Sequence, residues 1–462
     1  SLKIKEKRPI CVSTYIKSVL SKILNARLDP ICEEDNSYGV NQYGFRRERG
    51  TAESVFLLTS ALRKAISDKD SVTMATVDIS KAYDSVNREK LYLRMKNIGF
   101  GGKIIKLFMS MYYNDNVQVK LGPGEYTEKI YFTKGVLQGD SCSPLAWSVY
   151  VSSLAEKLHE AKVGIKLGNE ILSALLYADD VALISRTARK GIKILFDIIN
   201  QFNTAYDMSL SISKSYIITK SDTISSWKVG PEGEAIEEAL STKYLGIDVN
   251  LSNRNLTRDR EGKVTHDARA KAHTIFGLTR AGIDRSLLSR ELWEKCAIPS
   301  ILYCTESMII TKKTIDQLEV IQNFIGRYIL QLPAGSSNIC SWTDAGLMPI
   351  QGRLWIKIAC FYWKQIRNTN DNLIQQCLIQ LNSDDNDPWM NQIRWMEMTF
   401  GEFSKCTSKK KVKAMIMNKI KADVREKHNV MISLTALHLP KRWFSLQPHV
   451  NDTIGSKMIN RI

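Results

Sequence analysis

Helical and strand-like spacings of apolar residues alternate along the first 250 residues of the chain. Residues 51–67 predict an amphipathic helix behind a Thr51 cap, because apolar side chains recur there every three or four positions. The β-rich stretch 71–79 predicts a strand with Asp78 at its end, and residues 215–219 and 243–249 predict another pair. Further helices are predicted over 87–97, over 103–113, from Ser143 to about Glu160, and over 189–206. Paired strands are predicted at 117–121 and 129–133.

The stretch LLYADDVALI at 175–184 places two adjacent carboxylates, Asp179 and Asp180, between two apolar runs. It predicts a strand, a turn and a second strand. By itself the pair fits either a plain turn, in which Asp is common, or a metal site, in which cations offset the repulsion. Asp78 ends a separate predicted strand, where it fits a turn cap equally well. If one sheet joins these strands, the three acids can hold two divalent cations roughly 4 Å apart, as phosphoryl transfer requires.

The chain after about residue 265 loses its strand signals and is predicted to be mostly helical, with a joint at 332–338. Basic residues in 408–427 alternate with apolar ones such as Ile416 and Ile420. This pattern predicts a helix with one buried stripe, whose other side faces either phosphates or only solvent. The predicted fold class is therefore α+β followed by a helical C-terminal region.

Composition narrows the class of partner. The 65 Lys and Arg against 48 Asp and Glu give a net charge of +17, which favours a polyanion such as nucleic acid. No run approaches the ~18 apolar residues of a membrane span, so no membrane partner is expected. Nine Cys without C-x-x-C pairs indicate a reducing, intracellular setting, and the six His form no zinc motif. The start, SLKIKEKRPI, has no Met or signal core and is expected to continue from a longer product.

Five motifs follow one another in order: NQYGFRRERGT at 41–51, DISKAYDSV from Asp78, GVLQGDSCSPL at 135–145, YADD at 177–180 and KYLGI at 243–247. This ordered set resembles the reverse transcriptase of non-LTR (LINE-type) retrotransposons, and the likeness covers about residues 8–250. The resemblance implies a right-hand polymerase with fingers, a palm built on an antiparallel sheet, and a helical thumb. Fingers and palm would occupy 1–250, the thumb 251–335, and a helical region of unknown role 336–462.

The resemblance also implies the activity. An RNA-directed DNA polymerase transfers a nucleotide from a dNTP to a DNA primer 3′-OH on an RNA template, using two Mg²⁺ ions, with Mn²⁺ as an alternative. Asp78 and Asp179 would be the main metal ligands, with Asp180 in a supporting role. The implied partners are the element RNA, dNTPs and a DNA primer or nicked target DNA, giving target-primed reverse transcription in the nucleus.

Further residues receive roles from the same resemblance. Tyr83 would exclude the 2′-OH of a ribonucleotide, since a ring leaves it neither volume nor a hydrogen-bond partner. Gln138 and Gly139 would lie against the template and incoming base. Lys214 would protonate the departing pyrophosphate. Each also has a purely structural alternative: a core Tyr, a turn before a helix, and a solvated surface Lys.

The remaining predicted contacts involve phosphates and the primer. Arg46 would bind nucleotide phosphates and Arg8 the template backbone, because guanidinium groups pair with phosphates in bidentate fashion. For each of them a solvated charged loop is the alternative. The hairpin at Tyr244, Leu245 and Gly246 would hold the primer end.

The motif around Gln138 departs from the family pattern. Relatives usually have QGDPLSPLLF, whereas this chain has Ser141, Cys142, Ala146 and Trp147. Two alternative functions follow from the same residues. A group II intron maturase also carries YADD, but it usually has QGG where this chain has Gln138-Gly139-Asp140. A catalytically dead remnant that only binds RNA is the other alternative.

Overall fold

The chain divides into two compact units. The computed structural model describes residues 10–113, 116–220, 226–230, 233–253, 255–279 and 285–436. Unit 1 comprises Ser1–Leu256 and Asp371–Cys377, and unit 2 comprises Thr257–Asn370 and Leu378–Ile462. Small antiparallel sheets and helices make up unit 1, whereas the described elements of unit 2 are helical. The predicted change from mixed to helical structure is confirmed, and the division at residues 250 and 335 stays a prediction.

The first part of the chain alternates helices with short strands. Its helices are α1 (Tyr15–Glu34), α2 (Thr51–Ser67), α3 (Ala82–Ser85), α4 (Arg88–Asn97), α5 (Gly102–Tyr112), α6 (Ser143–Glu160) and α7 (Ala188–Tyr206). Its strands are β1 (Thr73–Asp78), β2 (Asn116–Val117), β3 (Lys120–Gly122), β4 (Glu125–Tyr126), β5 (Ile130–Tyr131), β6 (Ile165–Leu167), β7 (Glu170–Leu172), β8 (Ala174–Tyr177), β9 (Asp180–Ser185), β10 (Tyr216–Thr219), β11 (Ser226–Lys228), β12 (Ala235–Glu237), β13 (Thr242–Tyr244) and β14 (Ile247–Val249).

The helices beyond residue 257 are α8 (Arg258–Leu278), α9 (Arg285–Leu292), α10 (Ile298–Ile301), α11 (Lys312–Leu330), α12 (Asn338–Thr343), α13 (Ile350–Gln365), α14 (Asn372–Asn382), α15 (Pro388–Phe400) and α16 (Lys409–Ala436). The core of unit 2 surrounds the buried ring of Trp293, with Leu318 and Ile325 of α11 packed into it. Helix α16 buries Ile416 and Ile420 as the stripe pattern predicted. Across the described residues, no helix has both the length and the apolar character needed to cross a bilayer.

A four-stranded antiparallel sheet lies at the centre of unit 1, in the order β10–β1–β9–β8. Side chains alternate across it. Val77 and Leu183 belong to the buried cluster that includes residues of α6 and α7. Thr76 and Asp78 occupy the alternate positions of β1 and therefore point to the opposite face. Asp78, at the end of β1, therefore lies on the face of the sheet opposite the one that packs into the apolar core.

Other backbone segments pair with both outer strands of this sheet. Beside β8, the Tyr43 N–H donates to the Leu176 carbonyl at 2.7 Å, and the Leu176 N–H donates to the Asn41 carbonyl at 2.9 Å. Beside β10, the Ala239 N–H donates to the Ile217 carbonyl at 2.8 Å. Both edges of the sheet are therefore hydrogen-bonded at these positions.

Three local predictions need correction. The stretches 215–219 and 243–249 do not pair with each other, because β10 pairs with β1 and 243–249 folds into the β13–β14 hairpin. The predicted helix over 51–67 is confirmed, but Thr51 is its first residue and Gly50 occupies the cap position, so the Thr51 cap is wrong. The predicted pairing of 117–121 with 129–133 is replaced by two short ladders, β2 with β5 and β3 with β4. An irregular register between Lys120 and Gly122 accompanies this division.

Candidate active site

The YADD motif forms a tight hairpin, as the strand–turn–strand prediction expected. Tyr177 pairs with Asp180 across β8 and β9, which leaves Ala178 and Asp179 as the two turn residues. Ala178 has φ +55°, in the left-handed region that an L-alanine rarely adopts. Asp179 is half-buried and Asp180 is exposed. The turn therefore presents adjacent carboxylates at the end of the sheet.

Asp78 lies directly across the sheet from this motif. It is the register partner of Asp180 in the antiparallel pairing of β1 with β9. Side chains of directly opposite residues rise on the same face with Cβ atoms about 4.5–5.5 Å apart. The structure therefore brings the first predicted acid beside the second and third.

The electrostatic surroundings of Asp78 show that these charges interact. Burial raises the pKa of the Asp78 carboxyl, the nearby Lys214 ammonium lowers it, and the negative charge of Asp179 raises it again. Lys214 Nζ lies 3.7 Å from Asp78 Oδ2, although the lysine side chain is 72% exposed. The net shift is upward, so the negative form of Asp78 is destabilised at its present site.

The acids suit a hard cation by their chemistry. Within the described part of the chain, no three His, Cys, Asp or Glu side chains are already gathered as a metal cage. Mg²⁺, however, is usually held by one or two carboxylates together with waters and substrate phosphates. A cation would also offset the repulsion between Asp78 and Asp179 that raises the pKa of Asp78. Asp78, Asp179 and Asp180 therefore fit the predicted ion.

The β13–β14 hairpin is anchored close to β1 through hydroxyl groups. Thr242 and Thr76 share a buried hydrogen bond of 2.6 Å between their Oγ1 atoms. The Tyr244 hydroxyl shares one of 2.8 Å with Ser54 Oγ of α2. Leu245, at φ +47°, is one of the two residues at the hairpin tip. These bonds set the hairpin against the strand that carries Asp78.

A cavity of about 350 Å³ lies between this hairpin and the acidic end of the sheet. Asp78, Asp180, Lys214, Lys243 and Tyr244 are among its lining residues. The cavity falls within the size range of small-ligand sites, and it offers both carboxylates and ammonium groups. Such a lining can hold a cation and a phosphate together.

Residues 3–249 match the protein family described as reverse transcriptase (RNA-dependent DNA polymerase). The chain belongs to the reverse transcriptase family. The family predicted from the five ordered motifs is thereby confirmed.

Relatives of this reverse transcriptase come from mobile elements. The Pol polyprotein of the type-2 retrotransposable element R2DM of Drosophila melanogaster is 26% identical over 310 residues, covering 64% of this chain and 28% of the relative. The RNA-directed DNA polymerase of the mobile element jockey from Drosophila funebris is 22% identical over 335 residues, covering 71% of this chain and 36% of the relative. The chain therefore spans well under half the length of these two relatives.

One solved structure with a similar chain is apo telomerase from Candida tropicalis. The likeness covers 83% of this chain and 60% of that chain, with 14% identity and a TM-score of 0.42. A likeness at that level carries no argument about this reverse transcriptase.

Gly44 and Trp147 hold the YADD turn in place. The sequence alone did not connect either residue with this turn. A Cβ built on Gly44 would lie 2.3 Å from the backbone nitrogen of Ala178, so the backbone of residue 44 presses directly against the turn. The indole N–H of Trp147 donates to the Ala178 carbonyl at 2.9 Å. The only sequence features that could have indicated these roles are the position of Gly44 in the 41–51 motif and the departure of Trp147 from the family pattern.

Tyr83 lies beside the turn, as its predicted role requires. Its ring centroid is 5.8 Å from that of Trp147 and 6.4 Å from that of Phe45. Burial raises the pKa of the Tyr83 hydroxyl far above its usual value, and the charge of Asp179 raises it further. Tyr83 is therefore within electrostatic reach of a candidate metal ligand, and its role as a sugar gate stays a prediction.

The Gln138–Gly139 loop contacts the start of the described chain. The Cys11 N–H donates to the Gln138 carbonyl at 2.7 Å, and a Cβ on Gly139, at φ +107°, would lie 2.7 Å from the Cys11 carbonyl oxygen. Asp140 is buried and accepts a hydrogen bond from Ser21 Oγ at 2.7 Å, so its carboxylate has a structural partner in α1. Contact of Gln138 and Gly139 with template and base stays a prediction.

Arg46 lies buried among protein partners and not in a solvated loop. It is buried, its guanidinium pairs with Glu33 at 2.6 Å and donates to the Gly39 carbonyl at 2.6 Å, and it lies over the Tyr38 ring. The solvated-loop alternative is therefore wrong for Arg46, and the placement gives no support to phosphate binding. The physical reason is that α1 brings a carboxylate to it. Arg8 lies outside the described residues.

Proposed function

We propose that this chain is the polymerase portion of a non-LTR retrotransposon protein, an RNA-directed DNA polymerase. It extends the 3′-OH of a DNA primer with dNTPs on the RNA of its own element. The primer is proposed to be a nicked genomic site, so that reverse transcription starts at the target in the nucleus. The observation that carries the proposal is the pairing of Asp78 with Asp180 beside the Asp179 turn, in a chain of the reverse transcriptase family.

Asp78 and Asp179 would hold the Mg²⁺ ions, with Asp180 supporting them. When bound, the two ions activate the attacking 3′-OH and stabilise the leaving phosphate. The chain contributes positioning and proton transfer. Lys214, whose ammonium lies 3.7 Å from Asp78, is the proposed donor to the departing pyrophosphate. Tyr83 is proposed to close the space that a 2′-OH would occupy.

The proposed architecture is a right hand. Helices α1 and α2 with the 41–50 segment would form the fingers, and the four-stranded sheet with α6 and α7 would form the palm. Gln138 and Gly139 would contact the base pair being formed. The tip at Leu245 and Gly246 would hold the primer end, and the helices that start at Arg258 would begin the thumb.

Primer extension tests the proposal. Oligo(dT) on poly(rA) with Mg²⁺ and dTTP should be extended by the wild-type chain, and Asp179→Asn should lower the rate by roughly a thousandfold, about 4 kcal/mol of transition-state stabilisation. Asp207→Asn is the matched control, because Asp207 pairs with Lys90 on the surface. A chain that shifts RNA in a gel but extends nothing, with or without Asp179→Asn, would instead be the RNA-binding remnant.

A further inference from the structure

The turn that carries Asp179 contains one residue, Ala178, in an energetically unfavourable backbone conformation. Ala178 has φ +55°, which places its Cβ close to neighbouring backbone atoms, so the conformation persists only where surrounding structure holds it. The two-residue connection allows little adjustment, because Tyr177 and Asp180 are already paired on either side. Any change in the support of Ala178 therefore changes where Asp179 points.

The support comes from the interior of unit 1. Trp147 of α6 is fully buried, and its indole N–H donates to the carbonyl oxygen of Ala178 at 2.9 Å. The same ring packs against Tyr83, with centroids 5.8 Å apart. One side chain thus contacts both the strained turn and the proposed sugar gate.

We infer that Trp147 is a positioning residue whose indole N–H holds the Ala178–Asp179 turn in the conformation that presents Asp179 to a divalent cation. The inference rests on the proposed function, since it assigns Asp179 to metal binding. A phenyl ring at position 147 fills much of the same volume but has no donor. The contribution of the N–H is therefore separable from that of the ring.

Trp147→Phe is the discriminating variant. Removing one donor to a partly buried carbonyl changes an equilibrium by roughly fivefold, equivalent to about 1 kcal/mol. The affinity of the chain for Mn²⁺ should weaken by about that factor. Sugar selectivity should stay unchanged, because an aromatic ring still packs against Tyr83.

Tyr150→Phe is the matched control. Tyr150 lies on the same helix, and its hydroxyl donates to the Tyr206 carbonyl at 2.6 Å and accepts from the Asn87 N–H at 3.1 Å. Tyr150→Phe therefore removes hydrogen bonds from the same helix while leaving the bond to the Ala178 carbonyl in place. A general loss of packing or stability would affect both variants.

The experiment measures Mn²⁺ binding to the full chain by the electron paramagnetic resonance signal of the free ion. Weaker binding by Trp147→Phe, with wild-type binding by Tyr150→Phe, is the expected result. Equal affinity of Trp147→Phe and wild type, equal weakening in both variants, or no Mn²⁺ binding by the wild type would overturn the inference. Primer extension separates the two proposals: failure of the wild type to extend contradicts the proposed function, whatever the Mn²⁺ affinities of the variants.

Discussion

Replacing Gly44 with alanine is expected to displace the YADD turn. The new Cβ would lie 2.3 Å from the backbone nitrogen of Ala178 and 3.0 Å from the carbonyl carbon of Tyr177. Both of these are backbone atoms, so no side-chain rotation relieves the overlap. Either the 41–44 segment or the turn itself must move.

The size of the effect follows from these distances. Non-bonded heavy atoms in favourable contact lie about 3.5 Å apart, so a separation of 2.3 Å requires a displacement of about 1 Å. Misplacing a reacting group by about 1 Å is enough to lower a rate by about 100-fold. Overpacking of this kind costs about 1–3 kcal/mol of folding free energy, which many domains tolerate. Activity should therefore fall while the chain still folds.

The assay compares the primer-extension rate and the thermal unfolding midpoint of Gly44→Ala with those of Gly102→Ala. A Cβ on Gly102, the first residue of α5, would meet nothing within 4 Å, so this control should match the wild type. Gly44→Ala should lose about 100-fold in rate at saturating substrate. Extension by folded Gly44→Ala at the wild-type rate would refute the claim that residue 44 positions the turn.

Three further predictions concern neighbouring groups. Tyr83→Ala should raise ribonucleotide incorporation, because the ring occupies space that a 2′-OH needs; unchanged sugar selectivity in single-nucleotide extension would count against the gate. The Lys214 ammonium lowers the pKa of Asp78, which must ionise to bind a cation, so Lys214→Met should raise that pKa. The acid limb of the pH–rate profile should therefore move to higher pH. An acid limb that stays in place would contradict this. Tyr244→Phe should lower the free energy of unfolding, measured by urea denaturation, by about 1–3 kcal/mol, because it leaves the buried Ser54 hydroxyl without its partner. Adding Ser54→Ala should recover part of this loss. Strictly additive losses from the two substitutions would contradict the pairing.

Local patterns were enough to predict the elements that carry the chemistry. The hairpin at 175–184 was predictable because its apolar flanks and its two aspartates are adjacent in the chain. The helix over 189–206 was predictable because Ile192, Leu195, Ile199 and Phe202 repeat at helical spacing, and all four are buried. The order of the motifs along the chain then indicated that Asp78 lies beside this hairpin. The register of β1 with β9 places Asp78 directly opposite Asp180.

Contacts between distant segments were not predictable in this way. Arg46 has the sequence context of an exposed loop, and only the fold brings Glu33 of α1 to its guanidinium. Gly44 gives no local sign that the backbone of residue 178 lies against it, because its φ is not in the left-handed region. Trp147 carries an indole N–H that the usual phenylalanine lacks, and the acceptor of that N–H, the Ala178 carbonyl, is 31 residues away in the chain.

The covered edges of the four-stranded sheet bear on the solubility of shortened versions of the chain. An unpaired outer strand recruits strands from other molecules, and this leads to aggregation. Here residues 41–43 protect the β8 side and Ala239 protects the β10 side. A fragment that begins after residue 44 would leave the strand before the YADD turn open to such pairing, so a soluble fragment that contains the four-stranded sheet should retain residues 41–43.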